Sequence, residues 1–196
     1  ELDKFQFDPV IRQETRKELG IADDTFLIGH VGRFMPQKNQ TFLVDVLADL
    51  LPKRPNAMLA FVGDGPDRPA VQQHAKKLGI ANHVLFLGQR SDVNRLYQAF
   101  DVFCLPSLYE GLGIVGVEAQ RAGLPCLFAD AITREVDVTG IPRFMTTESY
   151  KEWSSFISAL EPGTRIDSSD KAFSGYDISE NARKLTSMYL KLFEKK

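Results

Sequence analysis

Apolar residues follow one another along the chain in two alternating patterns, which predict alternating strands and helices. Short unbroken apolar runs bounded by glycine and other turn residues are typical of buried strands. Stretches with an apolar residue every three or four positions are typical of helices that pack one face on a core. The predicted strands are 26–32, 57–62, 83–87, 102–105, 125–128 and a weaker 143–145. The predicted helices are 9–19, 39–51, 67–78, 92–100, a short helix that carries Glu118, 150–160 and 178–193.

This alternation predicts an α/β fold. Strands that are joined through helices pair in parallel, so we expect a doubly wound, Rossmann-like parallel sheet with helices on both faces. The segment 161–176 is polar and rich in turn residues. It is predicted to be a surface loop in front of a long closing helix.

Composition and charge restrict the function only broadly. The 196 residues are 43% hydrophobic and 26% charged, as in an ordinary globular protein, and the net charge of −2 gives no reason to expect a nucleic-acid partner. No apolar run approaches the ~20 residues that cross a bilayer. The chain opens without an initiator Met or a signal peptide, which suggests a piece of a longer protein. Cys104 and Cys126 lie in apolar runs, as buried core cysteines do, and favour a reducing, cytoplasmic location.

Glu110 and Glu118 carry the most specific chemistry in the chain. Seven residues separate them, and a Gly-x-Gly turn after Glu110 leads into the short helix that carries Glu118. The free backbone N–H groups at the start of that helix suit a pyrophosphate. On a helical wheel Glu118 falls within the apolar arc, so its carboxylate should be largely buried and should need hydroxyl or N–H donors. A sugar diol supplies two hydroxyl donors.

Glycines and charges also follow the other strands, at the edge where open parallel sheets bind ligands. Arg33 and Lys38 lie in the loop after the first strand and could clamp a diphosphate, although alone they would be explained as solvated surface charges. The three histidines are scattered and no Asp-x-Asp or His/Cys cluster occurs, so no metal or cofactor is expected. The strand exits that form this edge are 32–33, 63–65, 88–90 and 107–113.

Taken in order, these motifs resemble the C-terminal, donor-binding half of the retaining GT-B glycosyltransferases, the large group typified by sucrose synthases and bacterial mannosyl-, glucosyl- and N-acetylglucosaminyltransferases. The resemblance covers roughly residues 1–160. It implies one half of a GT-B fold and transfer of a sugar from a nucleoside-diphosphate sugar to an acceptor with retention, by a front-face route without a metal. The motifs that carry it are Gly32-Arg33 with Lys38-Asn39, 62–66, 86–88, 101–107, the Glu110/Glu118 pair and Gly123-Leu124-Pro125.

The resemblance also assigns roles to single residues. Arg33 and Lys38 would hold the pyrophosphate and stabilise the leaving nucleoside diphosphate. Glu118 would accept hydrogen bonds from the ribose hydroxyls, and Glu110 would contact hydroxyls of the transferred sugar. The predicted catalytic residues are therefore Arg33, Lys38 and Glu110. The predicted donor-binding residues, with 88–90 near the base and the N–H groups of 112–114 near sugar or phosphate, are Gly32, Gly63, Gly88, Gln89, Arg90, Ser107, Gly111, Leu112, Gly113, Ile114 and Glu118.

A division of the chain follows from the same resemblance. Residues 1–8 would be a remnant of the interdomain linker and 9–176 the nucleotide-sugar-binding domain. Residues 177–196 would form a closing helix that runs back toward a missing acceptor-binding N-terminal domain. Such a fragment would bind donor, with UDP slightly preferred over GDP from family frequency, and would turn over little. The whole enzyme would build a bacterial polysaccharide in the cytoplasm or at the inner face of the membrane.

One segment departs from the family pattern. The segment 130–136 stands where many relatives have a Gly-Gly turn, so donor identity is not carried over.

Three alternatives to this function stay open. The first alternative is half of a nucleotide-sugar 2-epimerase, and the second is a non-catalytic module that binds nucleotide-sugars. The third is a doubly wound domain without a ligand, in which Glu118 would pair with an internal Arg or Lys.

Overall fold

One mixed-length parallel sheet forms the centre of the molecule. Within residues 2–167, 170–176 and 178–193, which the computed structural model describes, six strands lie in the order β3-β2-β1-β4-β5-β6. Every neighbouring pair is parallel. The predicted doubly wound, Rossmann-like sheet is therefore confirmed. The strands are β1 (Phe26–Val31), β2 (Ala57–Val62), β3 (Val84–Phe86), β4 (Val102–Leu105), β5 (Cys126–Ala129) and β6 (Arg143–Met145).

The helices lie close to their predicted positions, with one exception. The whole segment 161–176 is predicted to be a surface loop, and this is wrong for residues 170–176, which form a short helix and a 3-10 turn at Ser174–Tyr176. Phe173 is the physical reason, since its buried ring joins the core below β4 and β5. The helices are α1 (Pro9–Glu18), α2 (Gln40–Leu50), α3 (Arg68–Lys77), α4 (Val93–Ala99), α5 (Ile114–Arg121), α6 (Tyr150–Ser158), α7 (Asp170–Phe173) and α8 (Ile178–Phe193).

Each face of the sheet carries its own hydrophobic core. Successive side chains of a strand point to opposite faces, so β1 places Leu27 on one side and Phe26 and Ile28 on the other. The Leu27 face is covered by α4 and α5, and the opposite face by α2, α3 and α6. Because both faces are covered, the strands are apolar throughout, which is why short unbroken apolar runs predicted them.

Asp101 fixes the amino-terminal edge of the sheet, just before β4. It is fully buried, and one carboxylate oxygen accepts hydrogen bonds from Arg12 at 2.6 Å and from the backbone N–H of Gly163 at 2.8 Å. The other oxygen accepts from the backbone N–H of Leu27 at 2.7 Å and from Arg16 at 3.4 Å. One carboxylate thus ties α1, β1 and the segment after α6 to the start of β4, at the edge opposite the carboxyl ends of the strands.

The strand order places a ligand crevice between β1 and β4. Chain connections leave β1 toward β2 and β3 on one side, whereas β4, β5 and β6 lie on the other side. In open α/β sheets, ligands bind outside the carboxyl ends of the strands at this switch point. The loops after β1 and β4 therefore define where to look for a site. Among the described residues, no helix is long and apolar enough to span a membrane, and no three His, Cys, Asp or Glu side chains cluster as a metal site.

Candidate functional site

The loops that follow β1 and β4 are joined by direct contacts. The backbone N–H of Leu108 donates to the carbonyl of Gln37 at 2.8 Å, and the Gln37 amide donates to the carbonyl of Tyr109 at 2.8 Å. Two residues further on, the Asn39 amide donates to the carbonyl of Pro106 at 3.3 Å. Asn39 has a left-handed backbone with φ of 52°, which asparagine tolerates better than most residues. These three contacts, which we call the loop clasp, hold the two loops at a fixed distance.

Lys38 and Glu110 form an ion pair inside the loop clasp. The Lys38 Nζ donates to Glu110 Oε1 at 2.5 Å, and the two side chains are only 16% and 8% exposed. The Lys38 stem folds back over Gly32, so a Cβ added at Gly32 would lie 3.5 Å from Lys38 Cδ. Two of the three predicted catalytic residues are therefore in direct contact. The third, Arg33, is exposed and has no ion pair with a residue that the structure describes.

Two cavities open beside this loop at the carboxyl ends of β1, β2 and β3. One of about 320 Å³ is lined by Gly32, Gly63, Gln89 and Arg90, among others. The other, of about 570 Å³, lies between Arg33 and the turn after β2, and Gln89 lines it as well. Five of the predicted site residues thus surround two cavities that meet at Gln89. Neither cavity is lined by Glu118 or by residues of the Glu110 loop.

The glycine at the end of β2 is needed for the shape of these cavities. Gly63 has φ of +131°, and a Cβ there would lie 2.2 Å from the carbonyl oxygen of Gly32. The two strand exits therefore approach backbone to backbone, which only glycine allows. Further along the edge, Gly88 accepts a hydrogen bond from Gly63 at 2.8 Å, and Arg90 is held by both carboxylate oxygens of Asp92 at 2.6 and 2.7 Å.

Glu118 lies on α5 and is paired with Tyr97, which sequence reasoning missed. The Tyr97 hydroxyl is 3.1 Å from Glu118 Oε2 and 3.0 Å from the carbonyl of Val115. Burial raises the pKa of Glu118, although the Tyr97 hydrogen bond and the charge of Lys4 act in the opposite direction. Burial, together with the neighbouring carboxylate, also raises the pKa of Tyr97 well above 10. Glu118 is therefore a half-buried carboxylate with few donors of its own.

The ligand-free alternative predicted a different partner for Glu118. In the described part of the chain, no Arg or Lys forms an ion pair with Glu118. Its burial is compensated by one phenol hydroxyl, which is shared with a backbone carbonyl. The arrangement leaves lone pairs that hydroxyl donors from a ligand can satisfy. It does not have the internal salt bridge that the ligand-free alternative requires.

The start of α5 presents backbone N–H groups next to the Glu110 loop. Gly113 precedes the helix in the left-handed conformation, with φ of 66° and ψ of 48°, and no side chain in the described part of the chain caps the helix start. The first N–H groups of a helix have no partner within it, so those after Gly113 can donate to an anion. Gly111 and Ile114 are exposed, Leu112 is half-buried, and the buried Ser107 hydroxyl has no hydrogen-bond partner among the residues that the structure describes.

His30 is a second buried polar group that sequence reasoning did not assign to the site. Its ring is fully buried in β1, and Nδ1 lies 2.9 Å from the carbonyl of Cys104 on β4. Because a carbonyl only accepts, Nδ1 carries the proton and Nε2 is an acceptor, which has no partner among the described residues. Burial lowers the pKa of His30 to about 4. The ring is therefore neutral and lies directly under Gly32, where an added Cβ would be 3.1 Å from Nε2.

The segment after β5 is fixed from outside by Gln120. This buried side chain of α5 donates to the carbonyl of Val136 at 2.7 Å and accepts from the N–H of Val138 at 3.1 Å. It also accepts from the Thr139 hydroxyl at 2.9 Å. Arg134 remains exposed, with its guanidinium 3.6 Å above the Phe144 ring. The segment thus lies at the same edge of the sheet as the start of α5.

Local sequence signals explain which site residues were predicted and which were missed. The Glu110, Lys38 and glycine positions follow strands directly, so the strand pattern alone placed them at one edge. Tyr97 and His30 lie inside a helix and a strand, where they look like ordinary core residues. Gln37 and Asn39 carried a usable signal, because amide side chains beside a lysine in a strand-exit loop commonly bond backbone groups.

The chain is similar in sequence and in structure to known proteins of one family. Residues 11–138 match the family model described as Glycosyl transferases group 1. EpsF of Bacillus subtilis (strain 168) is 37% identical over 182 residues, which is 90% of this chain and 47% of that protein. The crystal structure of HepE from Anabaena in complex with UDP and glucose superposes with a TM-score of 0.72 at 28% identity, over 81% of this chain and 44% of that one.

A further solved structure is similar to the same extent. WaaG, described as a glycosyltransferase involved in lipopolysaccharide biosynthesis, has a TM-score of 0.72 and 27% identity, over 81% of this chain and 45% of that one. The chain therefore spans about half the length of the proteins it matches. The family model covers more than half of the chain, and the resemblance seen in the motifs is confirmed. The chain belongs to the glycosyl transferases group 1 family of retaining GT-B enzymes and corresponds to their C-terminal half.

Proposed function

We propose that this chain is the donor-binding half of a glycosyltransferase that moves a sugar from a nucleoside-diphosphate sugar to an acceptor with retention. The observation that carries the proposal is the Lys38–Glu110 pair at the switch point of the sheet, beside the uncapped start of α5. Family membership supports a transferase over a 2-epimerase or a binding module. The proposal extends to the domain division, with 1–8 as linker, 9–176 as the donor domain and 177–196 returning toward an acceptor domain.

The proposed chemistry is stabilisation of the leaving nucleoside diphosphate. Arg33 and Lys38 would supply positive charge to the diphosphate, and the N–H groups that follow Gly113 would add oriented dipoles. Preorganised charges of this kind act where negative charge develops and need no reorganisation during the reaction. Glu118 would accept hydrogen bonds from the two ribose hydroxyls, and Glu110 would accept hydrogen bonds from hydroxyls of the transferred sugar.

Two finer parts of the proposal come from relatives. HepE was solved with UDP and glucose, which favours UDP as the nucleotide for this site. WaaG takes part in lipopolysaccharide biosynthesis, which favours a bacterial polysaccharide as the product to which the whole enzyme contributes. The 320 Å³ cavity between Gly32, Gly63 and Gln89 is the proposed place of the base.

Calorimetric titration with UDP, GDP and ADP tests the donor site. The expected result is saturable binding of one nucleotide, weakened at least about tenfold (~1.4 kcal/mol) in Glu118→Ala because the ribose loses its acceptor. Glu152→Ala is the matched control, since it removes an exposed helical glutamate from α6 on the other face of the sheet. Equal affinity of wild type and Glu118→Ala would refute the assignment of Glu118, and no binding of any nucleotide would refute the donor site.

Sugar transfer by this chain alone is expected to be undetectable. The proposed acceptor site belongs to the other half of the enzyme, and holding both reactants in one geometry supplies much of the rate. A radiolabelled-sugar transfer assay with UDP-glucose and an oligosaccharide acceptor checks this. Transfer above the rate of a Lys38→Met variant would contradict the proposed division of labour.

A further inference from the structure

Lys38 and Glu110 are bonded to each other, although the proposed function assigns them to different parts of the donor. Lys38 would serve the diphosphate, and Glu110 the hydroxyls of the sugar. In the structure the ammonium and the carboxylate are 2.5 Å apart, and both side chains are largely shielded from water. A ligand that uses either charge must therefore compete with the contact that this charge already has.

The free nucleoside diphosphate and the intact nucleotide-sugar differ in whether Glu110 keeps a hydrogen-bonding partner. A free nucleoside diphosphate that takes Lys38 leaves Glu110 as a largely buried carboxylate without its cation, and removing one partner of a buried pair is strongly unfavourable. A nucleotide-sugar that takes Lys38 also brings sugar hydroxyls, which donate to Glu110 in place of the ammonium. Only the intact donor compensates both charges.

We propose that the Lys38–Glu110 ion pair makes this site select the intact nucleotide-sugar over the free nucleoside diphosphate, by an exchange of partners. The inference rests on the proposed function and goes beyond it, since it makes Glu110 a determinant of which nucleotide species stays bound. Loss of the sugar leaves Glu110 without donors, and the pair re-forms. Re-formation of the pair then favours release of the spent nucleotide.

The loop clasp allows the ion pair to be removed without separating the loops. Gln37 and Asn39, the two neighbours of Lys38 in sequence, donate to the carbonyls of Tyr109 and Pro106 in the loop after β4. The backbone bond from Leu108 to Gln37 adds a contact that depends on no side-chain charge. Glu110→Gln keeps the size of the side chain and an oxygen acceptor, so it mainly frees the charge of Lys38.

The experiment compares UDP and UDP-glucose binding to wild type and Glu110→Gln by calorimetry. Wild type is expected to bind UDP-glucose at least about tenfold more tightly than UDP. Glu110→Gln is expected to bind UDP at least about fivefold more tightly than wild type, and its preference for UDP-glucose should shrink to less than about threefold. A substitution in a binding residue that strengthens product binding is not expected from a simple loss of contact.

Lys38→Met in the Glu110→Gln background identifies the charge responsible. If the gain in UDP affinity comes from freeing Lys38, it disappears when Lys38 is absent, so Lys38→Met and the double variant should bind UDP equally within about twofold. A gain that persists in the double variant would show a general effect of removing negative charge and would overturn the exchange. Circular dichroism confirms folding of each variant, and Glu110→Ala serves as the second neutral variant.

The outcomes separate this inference from the proposed function. If both Glu110→Gln and Glu110→Ala bind UDP no more tightly than wild type, the exchange is overturned. The donor site itself is still supported in that case, provided that wild type binds UDP. Absence of UDP, GDP and ADP binding by wild type and variants overturns the proposed function and the exchange with it.

Discussion

Replacement of Asp101 by asparagine is expected to destabilise the protein severely without altering the site. The carboxylate accepts two hydrogen bonds on each oxygen, from Arg12 and Gly163 on one and from Leu27 and Arg16 on the other. In asparagine one oxygen becomes an NH₂ group, which faces two donors in either orientation. Two buried hydrogen bonds are therefore lost, and two positive charges lose their counter-charge.

The size of the loss can be worked out from these contacts. Hydrogen bonds to charged groups contribute about 1.5–3 kcal/mol each, so two lost bonds correspond to about 3–6 kcal/mol. Removal of one partner of a buried ion pair gives a similar range of about 3–5 kcal/mol. For a domain of this size, about 3 kcal/mol lowers the Tm by roughly 6–12 °C. The loss is a large part of the about 5–15 kcal/mol that holds a typical domain folded.

Urea denaturation followed by circular dichroism measures the loss, with Asp92→Asn as control. Asp92 makes a similar bidentate contact with Arg90, but both side chains are about one-third exposed, so its loss should stay within about 1 kcal/mol. Nucleotide affinity of folded Asp101→Asn should equal that of wild type, since Asp101 lies at the opposite edge of the sheet. If Asp101→Asn loses no more stability than Asp92→Asn, the carboxylate does not hold this edge together.

Three further predictions concern the site and the strands below it. Tyr97→Phe removes a hydrogen bond that lowers the pKa of Glu118, so the pKa of Glu118 should rise. As pH falls, nucleotide binding by this variant should therefore begin to weaken at a higher pH than binding by wild type. An unchanged dependence of affinity on pH, in titrations from pH 5 to 8, would contradict this. Gly63→Ala should lower the free energy of unfolding by more than about 1 kcal/mol beyond the loss in Gly79→Ala, since only the Cβ at position 63 meets backbone atoms. Equal urea midpoints of the two variants would refute the close approach of Gly63 to Gly32. The folded pKa of His30, about 4, lies below its ordinary 6.5, so its contribution is present above pH 6.5 and is lost as pH falls to about 4. His30→Leu should therefore lose about 3 kcal/mol less stability than wild type between pH 7 and pH 4, as measured by urea denaturation at both pH values, and equal losses would contradict this.

The fold was predictable because almost every element carried its own local pattern. β2 and β4 begin and end at the predicted residues, since each apolar run starts after a polar residue and ends before a glycine or proline. The loop prediction for 161–176 is wrong only at residues 170–176, where one buried ring, Phe173, outweighs the polar residues around it. A helix of four residues is too short to leave a periodic signal in its own sequence.

The site was predictable only as far as strand exits define it. Parallel strands bring their carboxyl ends to one edge, so Lys38 and Glu110 could be placed together from sequence, but their contact with each other could not. The Tyr97 hydroxyl and the His30 ring come from the interior of α4 and β1, and their roles depend on side-chain directions that spacing does not give. Pairs formed across the chain are thus the part that required the structure.

The anchoring of the segment after β5 by Gln120 has a consequence for protein engineering. Gln120 bonds Val136, Val138 and Thr139 and so fixes the path of residues 130–139, whereas the side chains of Arg134 and Glu135 are exposed and take no part in these bonds. Arg134 and Glu135 can therefore be substituted without a change in the backbone path of the segment. We expect a library randomised at Arg134 and Glu135 to yield folded variants at high frequency, because the bonds made by Gln120 do not involve these two side chains.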